Sequence, residues 1–79
     1  MLIKVSDTTL AFDLGIIASL YSRSGISEYW VIDLNEREIY VHRAPQEGNY
    51  TSVNKVVEHN TVSSLSKPEI STLVSEFMP

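Results

Sequence analysis

The sequence predicts a mixed α/β (α+β) domain, with a sheet of about four strands and one main helix. Three observations carry this. Leu14, Ile17, Ala18 and Tyr21 recur at i, i+3, i+4 and i+7, the spacing of one helical face. Glu28 to Asp33 and Glu38 to Arg43 are dense in β-branched and aromatic residues and are separated only by Leu34 to Arg37, which reads as a hairpin. A short apolar run, Met1 to Ser6, precedes the helix, so the order strand, helix, strand implies a crossover joining two parallel strands.

Each element has its own signature. Met1 to Ser6 is apolar and partly β-branched, and Asp7-Thr8-Thr9 follows with turn and capping residues. The helix is expected over residues 11–23, with Leu10, Ile16 and Leu20 widening its apolar stripe. Thr9 or Asp13 is the expected cap, and Gly25 ends the helix because glycine adopts the left-handed conformation without penalty. Glu28-Tyr29-Trp30-Val31-Ile32-Asp33 is apolar at successive positions, as in a central strand covered on both faces. Asn35-Glu36-Arg37 makes the tight connection, with Asp33 bonding its own backbone at the start of the turn. Pro45 to Asn49 reads as a loop, and Tyr50 to Val57 as a weaker strand. Beyond His59-Asn60 the chain is serine-rich, and Ile70 to Met78 reads as a short terminal helix carrying Leu73, Val74, Phe77 and Met78.

Length and composition narrow the function. Seventy-nine residues allow a single domain, 1–79, folding to roughly 4,800 Å² of accessible surface by the size scaling of monomeric proteins. Hydrophobic residues make up 43% and charged residues 20%, a balance that folds. There is no cysteine, hence neither a disulfide framework nor a thiolate zinc site. Net charge is −4, and the six basic residues, Lys4, Arg23, Arg37, Arg43, Lys55 and Lys67, are scattered rather than aligned along one face. Binding to phosphates draws much of its strength from such alignment, so nucleic acid is not an expected partner. No apolar run approaches the length of a membrane span, and the first residues lack a signal-peptide pattern, so the expected location is the cytoplasm. His42 and His59 have no third ligand at metal-binding spacing and read as surface histidines; no metal or other cofactor is expected. Ser63, Ser64, Ser66, Ser71 and Ser75 have no histidine base beside them and read as a polar tail.

One stretch carries a resemblance. Leu20-Tyr21, then Gly25, then Glu28-Tyr29-Trp30 leading into an apolar strand that ends at Asp33, is similar to the C-terminal half of the bacterial restriction endonuclease-like family, a branch of the PD-(D/E)xK nuclease superfamily. Ile3 to Asp13 resembles that family's strand-turn-helix entry and Gly48 to Pro79 its closing strand and tail, so the expected fold is a partial restriction endonuclease-like fold.

The resemblance implies chemistry that this chain lacks. In the family, an aspartate after a proline on an earlier strand and a glutamate on the strand entering the helix hold a divalent cation, and a lysine on the helix stabilises developing charge. The strand with the proline and aspartate would lie before Met1, so the chain is expected to be a truncated member. Lys4 occupies the glutamate position and Ile17 the lysine position, while Asp13 matches a family aspartate near the start of the helix. These three positions are vestigial on this reading, and the chain is expected not to be an enzyme. The expected role is an interaction or self-associating remnant, forming a homodimer or pairing with an intact relative through the Met1 to Ser6 edge. The alternatives are a residual nucleic-acid-binding module, or activity only in a complex that supplies the missing half.

Overall fold

In the computed structural model, which describes residues 1–79, the chain opens with strand β1, Leu2–Ser6, followed by helix α1 through residues 10–23. Strand β2 is Glu28–Asp33, β3 is Glu38–Gln46 and β4 is Asn49–Val57. They form one sheet in the order β1-β2-β3-β4, with β1 parallel to β2 and the remaining pairs antiparallel. Parallel neighbours need a crossover, and α1 supplies it. The architecture is the expected mixed α+β sheet of four strands with one main helix. Its accessible surface is 4786 Å², as the size scaling anticipates.

β2 is the centre of the molecule, and all six of its residues are buried. Alternation along the strand sends Tyr29 and Val31 to one face, where they pack with Ala18 of α1 and Tyr50 of β4. Trp30 and Ile32 point to the other face, joined by Ile39 and Val41 of β3. One helix covers only the first of these faces, which by itself would leave the second open. Instead the C-terminal segment covers it. Strand β5, Thr61–Val62, pairs with β6, Thr72–Leu73, as a separate two-stranded ribbon that the sequence reading missed. Val62 and Val74 join the second core, with Phe77 and Met78 packed against it.

The terminal helix expected over Ile70 to Met78 does not form. Thr72–Leu73 is extended, and only Val74–Phe77 makes a single 3₁₀ turn. A segment this short gains little from helix formation, so packing on the sheet decides its conformation. Glu28 fixes the same segment: its Oε1 accepts the Leu65 amide at 2.9 Å, and its Oε2 accepts Arg43 Nε and Trp30 Nε1 at the same distance. Arg43 also donates to the Ser63 carbonyl at 2.6 Å, so an ion pair between half-buried Arg43 and buried Glu28 ties β2 and β3 to the tail.

Helix α1 is interrupted where the sequence suggested a uniform stripe. Leu10–Phe12 and Ala18–Arg23 are α-helical, and Asp13–Ile17 between them is π-helical, a wider turn that takes in Gly15. Leu10, Leu14, Ile17 and Tyr21 pack against the sheet around buried Ala18. Ile16 and Leu20 do not widen this stripe; with Phe12 they are 46–64% exposed on the outer side. Gly25 ends the helix as expected, with φ of +79°. The β3–β4 connection is shorter than the loop expected over Pro45 to Asn49. Pro45 and Gln46 pair with Tyr50 and Asn49, and Glu47-Gly48 alone turn the chain, both at positive φ, as a two-residue hairpin requires.

Candidate functional site

The crossover places Lys4 in the middle of β1, in register with Val31 of β2 and on the face that α1 covers. Asp13 stands in the π-helical turn above it. The Asp13 side chain is 1% exposed, and its Oδ1 lies 3.8 Å from Lys4 Nζ. Its Oδ2 accepts the Thr9 hydroxyl at 2.8 Å. Neither residue caps the helix through its side chain as the sequence suggested: Thr9 precedes α1 but spends its hydroxyl on Asp13, which is inside the helix. The Asp13 carbonyl accepts the Tyr29 hydroxyl at 3.1 Å. Burial, reinforced by the Asp13 charge, pushes that hydroxyl well above its ordinary value of 10, which keeps it a donor.

Lys4 and Asp13 are therefore brought together, whereas Ile17 turns into the apolar cluster of Ala18, Tyr29, Val31 and Tyr50 and adds no charge. The arrangement is a salt bridge between a half-exposed ammonium and a buried carboxylate. It is poorly suited to magnesium, which takes oxygen ligands and repels an ammonium. No group of three or more His, Asp or Glu side chains converges to hold a metal ion. The Lys4–Asp13 donor set does not fit the divalent cation that the sequence resemblance implies.

At the end of β1, Ser6 is in register with Asp33, and both are fully buried. Asp33 Oδ1 accepts the Asn35 and Glu36 amides at 3.0 and 3.3 Å, the turn role read from the sequence, while Asp33 Oδ2 and Ser6 Oγ have no partner. His59 is exposed, as expected. His42 is not: it is 3% exposed, between the rings of Tyr29 and Tyr50 at centroid distances of 5.1 and 5.4 Å. Its Nδ1 lies 3.1 Å from the Tyr29 carbonyl. Burial pushes the imidazole below its ordinary value of 6.5, so the ring is neutral at pH 7. Alternation along β3 was the available signal, since His42 shares a face with Tyr40 and pairs with Tyr29.

A helix crossing between two parallel strands, with an acidic residue near its start facing the first strand, defines the class: a small mixed α+β module. The chain belongs to the family described as "Uma2: Putative restriction endonuclease", whose family model matches residues 1–75. No curated protein matches it. No helix is long and apolar enough to cross a membrane.

Proposed function

We propose that this chain has no phosphodiester-cleaving centre of its own, and that its nuclease-type fold serves association through the free edge of β1. The observation that carries the first half is the contact between Lys4 Nζ and Asp13 Oδ1 at 3.8 Å, a half-exposed cation beside the one family carboxylate that the helix retains. Incubation of the purified chain with plasmid DNA and magnesium or manganese is expected to leave the plasmid intact. Cleavage that survives purification and is lost in Asp13→Ala contradicts the reading.

The second half rests on the sheet edge. β1 pairs only with β2. The Ser6 carbonyl accepts the Leu34 amide at 3.1 Å, which points the backbone groups of Leu2, Lys4 and Ser6 inward and those of Ile3 and Val5 outward. Met1, Leu2, Ile3 and Val5 are each 38–57% exposed beside those free groups. An edge of this kind pairs readily with another strand. A second copy closes it symmetrically, since the same edge occurs on every chain; an intact family relative offers a comparable strand. Antiparallel pairing centred on Ile3 sets Val5 opposite the partner's Met1 and keeps the two Lys4 ammoniums apart. Light scattering over a concentration series is expected to approach twice the chain mass. A monomer persisting at high micromolar concentration contradicts self-pairing.

A further inference from the structure

On the other half of the α1 face, away from the Lys4–Asp13 pair, a pocket of about 320 Å³ opens between the helix and strands β3 and β4. That volume lies at the small end of the range for ligand sites. Leu14, Ala18 and Val53 supply aliphatic wall, Tyr40 and Tyr50 supply aromatic wall, Ser19 and Asn49 are polar residues nearer solvent, and His42 supplies a buried polar group. No charged side chain lines it.

The imidazole is set in one tautomer. Its Nδ1 lies against a carbonyl oxygen, which can only accept, so Nδ1 carries the proton and Nε2 keeps its lone pair. The backbone partners of the ring are Tyr29 and Tyr40, and the Tyr50 hydroxyl is already committed to the Ile26 carbonyl at 2.7 Å, so Nε2 is the nitrogen left to accept from an occupant. A largely apolar, partly aromatic pocket whose one deeply buried ring acceptor is His42 selects an occupant by what it must contain. The occupant must be uncharged, because an ion here would lose its hydration with no countercharge in return. It must carry one hydroxyl or N–H donor for Nε2, and a ring suits walls of tyrosine and aliphatic carbon.

We propose that this pocket is a binding site for a small neutral aromatic molecule bearing one hydrogen-bond donor, of the phenol or indole class, with the donor on His42 Nε2. The proposal is independent of strand association at β1, which lies on the opposite edge of the sheet.

Phenol and toluene are near-isosteres that differ in the donor, so they separate this site from a merely greasy cleft. Each is titrated into the protein labelled with ¹⁵N while the His42 imidazole nitrogens are followed by NMR. Phenol is expected to move Nε2 saturably from its unprotonated position, and to bind about tenfold more tightly than toluene, the worth of one added hydrogen bond. Val53 is 50% exposed, so Val53→Trp fills the pocket mouth without disturbing the core, and it is expected to abolish the shift. Equal affinity for the two probes, an Nε2 resonance that does not respond to phenol, or unchanged binding in a folded Val53→Trp protein would each overturn the proposal.

Discussion

Replacing Trp30 by alanine removes the largest side chain of the second core. Trp30 is 3% exposed, packs edge-to-face on Phe77 with centroids 5.9 Å apart, and donates Nε1 to Glu28 Oε2 at 2.9 Å. A buried aromatic truncated to alanine costs about 3–5 kcal/mol through lost transfer energy and the cavity left behind. Loss of the Phe77 pair and of a donor to a buried carboxylate places this substitution at the upper end of that range. A domain of 79 residues holds only about 4–12 kcal/mol in total, so Trp30→Ala is expected to lose a large fraction of its stability. Trp30→Phe keeps the ring contact and loses chiefly the donor, at an expected cost of about 1–3 kcal/mol. Urea unfolding followed by circular dichroism measures both. A cost under about 1 kcal/mol for the alanine variant would refute the two-faced burial of β2.

Other perturbations probe the remaining contacts. Stability should fall as pH drops below 6.5, because burial depresses the folded His42 and the unfolded chain then takes up the proton more readily; in His42→Gln the decline above pH 4.5 should flatten, as read by urea midpoints at pH 5 and 7. A second loss is expected below pH 4.5: burial raises Glu28, but the Leu65 amide, Trp30 Nε1 and Arg43 outweigh it and hold the carboxyl below its ordinary value, and an unchanged midpoint from pH 5 to pH 3 would contradict this. Arg43→Leu should loosen the tail from the sheet and speed hydrogen exchange at the Leu65 amide, with exchange at Val31 changing less. Lys4→Glu combined with Ile17→Lys should still leave plasmid uncut with magnesium, since no aspartate in residues 1–79 follows a proline as the family's metal-holding aspartate does; cleavage would show that two substitutions suffice to build a centre.

The sheet was legible because its strands are locally self-consistent. β2 announces burial on both faces by its unbroken apolar run, and the Asp33 turn and the Gly25 stop depend on conformations that few residue types adopt. Lys4, Asp13 and Ile17 were singled out through a motif; the structure pairs the first two and packs the third against the apolar cluster. What could not be read was set by tertiary contacts. Residues 72–78 have helical spacing but are bound to the sheet through Val74, Phe77 and Met78, and nothing local shows that Glu28 will hold the Leu65 amide. His42 looked like a surface residue because its polarity was weighed without the strand alternation that puts it on the face of Tyr40 and opposite Tyr29.

The central claim is that the outward backbone of β1 is the interface. The Val5 amide points away from β2, so proline at this position removes a donor from the free edge while sparing the internal ladder. Ile16, 64% exposed on the outer side of α1, marks the competing apolar surface. Light scattering on Val5→Pro and Ile16→Lys at one high concentration decides between them. The account predicts that the proline variant has the mass of one chain and the lysine variant the mass of two. A dimeric Val5→Pro protein, or one made monomeric only by Ile16→Lys, would contradict it.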